Sequence, residues 1–370
     1  MEMLNPGQRS NFSDWPAVDG NGSTGDVTGE TAGADAPPIA RPCEPDVSFI
    51  IASYNAARYI RQAIASALRQ TGVLAEIIVV DDASSDGTAE IVKALAGRDG
   101  RIVLIRRDVN AGPSAARNAA VERATGRWIA ILDADDLVAP ERSRSLIDLA
   151  VASGADIVAD NFERFQYEGE IGGATMIPRG RQPYAFTVDP AAFLTANCAF
   201  SSRRIMLGAV KGMFSRDFLR RNSLAHRESV HFSEDFLFLL ECLLAGAKFV
   251  VSSEPHYKYR MHPDSQSWRL KSAHLRPLFE AIADLGLEER LAEDAETRQA
   301  GAAYMSSLRA AFDFTRLVEA LKERRFSDAA GTAAACPAIW PHIIRFGSEA
   351  VFKRLKTALP GSSARGKGAR

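Results

Sequence analysis

The chain has 370 residues, 46% of them apolar and 25% charged, with a formal net charge of -1. Such values belong to an ordinary soluble globular protein with one large domain or two small ones and ample core, and they exclude a global electrostatic pull toward nucleic acid. The four cysteines, Cys43, Cys198, Cys242 and Cys336, are scattered without C-x-x-C spacing, and the six histidines form no H-E-x-x-H. A zinc or disulfide framework is therefore not expected, and a reducing compartment fits.

Residues 1–44 are rich in Gly, Asp, Pro, Ser and Thr and read as a disordered or loosely packed arm. Met1 to Pro16 lack the apolar run of a secretory signal, so a cytoplasmic location is expected. From Val47 the pattern changes. Val47–Ala52 reads as a buried strand, Ala56–Gln70 as a helix, and Glu76–Val80 as a second strand ending in Asp81 and Asp82. Gly87–Leu95 is a helix, Ile102–Ile105 a strand, Pro113–Arg123 a helix with Pro in its first turn, and Trp128–Leu132 a fourth strand. This alternation predicts a Rossmann-like α/β fold with a mainly parallel sheet flanked by helices. Asp156–Ala159 is a further strand, and residues 165–190 read as a loop or hairpin region. Phe236–Val251 is interrupted by Glu241 and Lys248 and reads as a buried helix running into a strand, not as a membrane span. After Pro263 the chain turns helical, over Leu275–Leu291 and Ala300–Arg324.

The most informative stretch is Ile129–Leu137, an apolar strand that ends abruptly in Asp133, Asp135 and Asp136. Three carboxylates at a buried strand tip repel one another unless a cation joins them. Hard cations such as Mg²⁺ or Mn²⁺ prefer oxygen ligands and share them with substrate phosphates. Taken alone, the D-x-D of Asp133 and Asp135 reads more readily as a solvated acidic turn; the rest of the chain reverses that reading.

Other residues gather at the same predicted rim, since ligands of such sheets bind beyond the carboxyl ends of the strands. Ser53 and Tyr54 end the first strand at a turn whose backbone N–H groups face a helix start, and Tyr54 could cover a base. A carboxylate at Asp81 or Asp82 could accept the imide N–H of uracil or ribose hydroxyls; Asp86 or Ser85 could instead cap the next helix. Arg117, behind the turn made by Gly112 and Pro113, would aim a permanent cation toward Asp133, unless it is an ordinary surface residue. Ser233-Glu-Asp235 opens a helix; capping by Ser233 explains the motif fully, while the functional reading makes Asp235 a general base. His262 follows Lys258 and Arg260 closely and could ligate a metal or be structural.

In this order the blocks Val47–Asn55, Val79–Thr88, Asn110-x-Gly112 with Ala116–Asn118, Leu132–Asp136, Lys211-x-x-Phe214 with Phe218 and Leu219, Ser233–Asp235 and Tyr259-Arg-x-His262 resemble the family 2 glycosyltransferases of GT-A fold, in particular those of bacterial exopolysaccharide and surface-polysaccharide synthesis. The resemblance implies a GT-A glycosyltransferase domain over 45–265, with a nucleotide-sugar half at 45–140 and an acceptor half at 141–265. A helical C-terminal region at 266–370 lies outside it. It implies an inverting hexosyltransferase that takes a nucleotide-diphosphate sugar, with UDP-glucose as the expected donor, and a lipid-linked saccharide acceptor. By the same carry-over Ser53, Tyr54, Asp82, Arg117, Asp133 and Asp135 bind the nucleotide sugar. Asp135 and His262 hold Mn²⁺ or Mg²⁺, and Asp235 is the catalytic base. A non-catalytic nucleotide-sugar or glycan-binding protein of the same fold is the alternative. A nucleotidyltransferase is disfavoured, because no Gly-rich basic loop follows the first strand. Finally, residues 345–370 carry seven Lys or Arg against the single acid Glu349, and Ile339, Trp340, Ile343, Ile344 and Phe346 lie beside them. That composition suits peripheral contact with an anionic membrane surface.

Overall fold

The computed structural model describes residues 44–166, 171–177, 184–199, 206–262, 271–287, 294–341 and 344. The arm expected before Glu44 and the basic tail from Arg345 lie outside the described residues. Among the described residues ten strands form one sheet: β1 (Val47–Ser53), β2 (Ala75–Asp81), β3 (Ile102–Arg106), β4 (Trp128–Ile131), β5 (Leu137–Val138), β6 (Ile157–Gln166), β7 (Ile171–Thr175), β8 (Ala185–Val188), β9 (Met213–Ser215) and β10 (Phe249–Met261). The order is β3-β2-β1-β4-β9-β6-β10-β5, with β7 paired to β6 and β8 to β10. The helices are α1 (Ile60–Leu68), α2 (Thr88–Ala96), α3 (Pro113–Arg123), α4 (Arg142–Ser153), α5 (Pro190–Ala196), α6 (Arg216–Arg221), α7 (Glu234–Leu244), α8 (Ser272–Asp284), α9 (Ala295–Lys322) and α10 (Phe326–Ala335).

The sheet is parallel across β3, β2, β1 and β4, whose near-continuous apolar sequences suit burial on both faces. Beyond β4 it is mixed. Parallel register aligns Ser53 with Asp81 and Ile50 with Ile131, so the tips of β1, β2 and β4 share one edge. Strand order reverses between β1 and β4, which opens the crevice where such sheets take their ligands. Two further strands then close on the acidic tip. β9 runs antiparallel to β4, so Lys211, just ahead of it, arrives beside Asp133. β10 pairs with β6 through a register shift between Ser252 and Tyr257, at Pro255, and its far half lies against β5. That shift carries Tyr257, Arg260 and His262 up to the acids.

The predicted helix at Ala56–Gln70 starts later, at Ile60. The reason is local: the N–H groups of Asn55, Ala56 and Ala57 are taken by Ser84 Oγ, Thr88 Oγ1 and Asp86 Oδ2, each at 2.9 Å. These amides are therefore spent on the loop after β2 and are not free for a ligand. The strand predicted at Asp156–Ala159 runs on to Gln166, and the 165–190 region contributes β7 and β8. Among the described residues no helix is long and apolar enough to cross a membrane.

Gly126, entering β4, packs against β1 with no room for a side chain. A Cβ there would lie 2.6 Å from Ser48 Oγ and 2.7 Å from Ser48 N. Backbone cannot yield as a flexible side chain would. Gly126→Ala is expected to destabilise the fold by about 1–3 kcal/mol, read as a lower midpoint in thermal or urea unfolding.

Candidate active site

Among the described residues, Asp133, Asp135 and Asp136 form the one carboxylate group with metal-ligand spacing, with one oxygen from each lying within 4.8 Å of the others. The three face different partners. Asp136 is buried; it accepts hydrogen bonds from Tyr257 Oη and from the Arg260 backbone N–H, both at 2.7 Å. Burial, then the charges of Asp135 and Asp133, push its carboxyl well above the usual range. Asp135 is the most accessible of the three, at 32% side-chain exposure, with Oδ2 2.8 Å from His262 Nε2. Its backbone carbonyl accepts from Arg260 Nε at 2.6 Å.

Asp133 points away from that pair, toward a buried charge network. Its Oδ1 lies 3.1 Å from Arg117 Nη2 and its Oδ2 2.7 Å from Lys211 Nζ. Arg117 also reaches Glu234 at 2.7 Å and Asp235 at 3.1 Å, while Lys211 reaches Asp235 Oδ2 at 2.6 Å. Burial alone would raise the Asp235 carboxyl; the charges of Arg117 and Lys211 outweigh it and hold the group well below the carboxylate range. Burial likewise disfavours the charge on Lys211, and Asp133 with Asp235 more than restores it. His226, buried and stacked on Phe238 at 4.0 Å, is driven down to about 3 by burial and by Arg117, so it stays neutral at physiological pH.

Ser233 does not cap α7. It sits at φ 57° with no side-chain bond to the helix start, so the capping explanation of Ser233-Glu-Asp235 is corrected. Glu234 and Asp235 are instead committed to Arg117 and Lys211. A non-glycine residue held at positive φ beside such a network is backbone strain placed at a site.

At the other side of the crevice, Ser53 Oγ donates to Val80 O at 3.2 Å and is turned into the sheet. Tyr54 stands half exposed on the rim. Asp82 is buried and accepts the N–H groups of Ala111 and Gly112, at 3.1 and 2.8 Å, which fixes the turn ahead of α3. Asp81 is the strand-end carboxylate with an uncommitted atom: its Oδ1 is buried without a hydrogen-bond partner. The fold thus brings Arg117, Asp133, Asp135, Asp235 and His262 together, and leaves Ser53, Tyr54 and Asp82 around the β1–β2 rim. Lys211, Glu234 and Tyr257 were not singled out as site residues by the sequence. A lysine ahead of a strand or a tyrosine within one has no local signature of a site; their roles arise from the pairing of β9 with β4 and of β10 with β5.

A sheet of this order with an acidic strand tip at its switch point is an α/β architecture of GT-A type. The chain belongs to glycosyl transferase family 2, whose model matches residues 48–207. It is similar to the succinoglycan biosynthesis protein ExoO of Rhizobium meliloti (strain 1021), 36% identical over 299 residues covering 81% of this chain and 84% of that one. ExoU of the same organism is 30% identical, covering 81% and 86%. In fold the chain is similar to Staphylococcus aureus TarS 1–349, solved with UDP-GlcNAc, at TM-score 0.54 and 15% identity, covering 79% and 92% of the two chains. It is also similar to the mannosyltransferase PcManGT of Pyrobaculum calidifontis, solved with GDP-Man and Mn²⁺, at TM-score 0.50 and 18% identity, covering 84% and 81%.

The charge network carries a pH signature. The Asp235 pKa is lowered in the fold, so its contribution to stability is full above the unfolded value of about 4 and is lost as pH falls below it. Asp235→Asn cannot titrate. The stability gap between wild type and this variant should therefore narrow as the pH is taken from 6 toward 3 in denaturant melts; a gap constant with pH would show that the pairing with Arg117 and Lys211 does not form.

Proposed function

We propose that the protein is an inverting, metal-dependent hexosyltransferase, moving a sugar from a nucleotide-diphosphate donor to a saccharide hydroxyl in exopolysaccharide synthesis. The observation that carries this reading is the division of labour at the β4 tip: Asp135 faces His262, while Asp133 is tied through Lys211 and Arg117 to Asp235. The relatives named for succinoglycan biosynthesis support the polysaccharide context. The fold neighbours solved with UDP-GlcNAc and with GDP-Man support a nucleotide-sugar donor, for which UDP-glucose is our choice.

The residues present fit a divalent ion. Carboxylate oxygens gathered in one group suit Mn²⁺ or Mg²⁺, and His262, with Nε2 2.8 Å from Asp135 Oδ2 and its ring against Tyr59, stands beside that group. Asp135 and His262 would hold the ion, which when bound neutralises charge on the departing diphosphate. The protein's own groups do the rest. Asp235 is ionised and takes the proton of the acceptor hydroxyl as that oxygen forms its bond to C1 of the donor sugar. The bond from C1 to the diphosphate oxygen breaks on the opposite face, and the nucleoside diphosphate leaves. Arg117 and Lys211 keep Asp235 charged at the expense of its basicity. Any turn of either cation toward a bound anionic donor strengthens the base. Asp133 contacts the ribose or donor sugar. Asp82, which holds the turn that carries Arg117, lies with Asp81 at the rim where a carboxylate would accept the imide N–H of the base.

A panel of UDP-, GDP- and dTDP-sugars with and without Mn²⁺ or Mg²⁺ tests the reading. Metal-dependent donor turnover is expected. Asp135→Asn should lose metal-dependent nucleotide affinity in calorimetry while keeping its melting temperature. Asp235→Asn should lose kcat by at least about a hundredfold with donor affinity little changed, as befits a transition-state role. Donor binding without turnover in the wild type would return the non-catalytic alternative.

The acceptor in this reading is lipid-linked, and the enzyme meets it at the cytoplasmic face of a membrane through its C-terminal end. Phe326 and Ile344 are about two-thirds exposed and Trp340 half exposed, ahead of the strongly basic sequence from Arg345. Ile339 does not join them, since it is buried in a small core with Leu317 and Ala320. Full-length protein should co-sediment with anionic vesicles and a chain ending at Ile344 should not; equal binding by both would remove the tail as the anchor.

A further inference from the structure

The bulkiest fully buried side chain among the described residues is a charged one, Arg142, at the start of α4. Its Nε and Nη2 grip Asp160 of β6 at 2.9–3.0 Å, and both side chains are essentially inaccessible. The same Nη2 donates to the backbone carbonyl of Lys211 at 2.6 Å. The guanidinium also lies over the Tyr257 ring, 5.2 Å from its centre. Tyr257 Oη in turn donates to Asp136 at 2.7 Å and accepts the Asp133 N–H at 3.2 Å.

One buried ion pair therefore touches both arms of the site: the backbone that presents Lys211, and the tyrosine that holds the acidic turn. Stability does not explain the charges. A buried ion pair is commonly no better than apolar residues of equal volume. What an apolar pair cannot do is hold a backbone carbonyl and a carboxylate at once in a fixed plane, which is what the arginine fork provides. Lysine, a point charge, cannot do it either.

We propose that Arg142 and Asp160 are positioning residues for sugar transfer, setting Lys211 and Tyr257 so that Asp133 and Asp235 keep their mutual placement. The inference rests on Asp235 being the base. Among the described residues Arg142 bonds neither Asp235 nor the acids of the β4 tip; it acts through Lys211 and Tyr257.

The test is a double-mutant cycle between Arg142→Lys and Lys211→Met, with kcat and donor KM measured on the donor the panel identifies. Arg142→Lys alone should lower kcat about tenfold or more with KM within about twofold. In the Lys211→Met background it should add little, because residues acting through one another are not additive. An unchanged kcat, or losses that multiply, overturns the proposal. If Arg142→Lys does not fold, Asp160→Asn, which frees the guanidinium while keeping its shape, enters the same cycle. A crystal structure of Asp160→Asn reads the placement without any turnover. Lys211 Nζ should have left Asp133 or Asp235, beyond about 3.5 Å. Retention of both contacts overturns the proposal, whereas absence of turnover in the wild type on every donor counts against the transfer reaction instead.

Discussion

Charge compensation at the tip of β4 is the constraint around which the molecule is arranged. At an effective dielectric near 20, two like charges about 4 Å apart cost roughly 4 kcal/mol. A domain's whole stability is only about 5–15 kcal/mol. Three adjacent carboxylates with two more at the start of α7 would consume it. Two buried cations prevent that. Arg117 spans Asp133, Glu234 and Asp235, and Lys211 spans Asp133 and Asp235. Asp136 is relieved differently, by burial that favours its neutral form and by two donors from β10. That leaves Asp135, beside His262, as the most exposed carboxylate of the tip, its side chain without an ion pair to Lys or Arg among the described residues.

Each compensating group comes from a different part of the chain, which ties the fold to the chemistry. α3 brings Arg117, the approach to β9 brings Lys211, and β10 brings Tyr257, Arg260 and His262. The parallel half of the sheet, β3 to β4, makes the crevice. The parallel half supplies Arg117 as a counter-charge, and the mixed half, which begins at β9, supplies Lys211 and the β10 donors. The C-terminal helices reach the same network from behind: Tyr304 of α9 stacks on Phe236 at 4.7 Å, one residue past Asp235. The helical region is thus packed against the start of α7.

The same compensation has a functional consequence. A base pinned by two cations is reliably ionised but weak, and the optimum for proton abstraction lies nearer the working pH. If Asp235 is the base, as proposed, an anionic donor would compete for those cations. Coupling donor binding to the strength of Asp235 would restrain the base until a sugar donor is present, and would limit wasteful chemistry with water.

The order of strands and helices through β4 was legible because parallel strands buried on both faces must be apolar runs, and helices must show a 3.6-residue period; the span of α3, Pro113–Arg123, was read to the residue. The acidic tip was legible for a similar reason, since Asp133, Asp135 and Asp136 directly follow such a run. Capping was misread at Ser233, because the local rule assumes that the helix start is free to choose its partners. Here Arg117 and Lys211 had already engaged the acids that follow it. Asp81 and Asp82 could not be told apart by position: Asp81 Oδ2 accepts the Ser84 N–H of its own loop, whereas Asp82 holds the distant turn at Ala111 and Gly112, and only the fold decided which carboxylate met that turn. Tyr257 and the Arg142–Asp160 pair carry no local signal, and Lys211 was legible only as part of the Lys211-x-x-Phe214 block, with no role attached. Their meaning lies in contacts between residues far apart in sequence, which strand pairing creates and which no window along the chain contains.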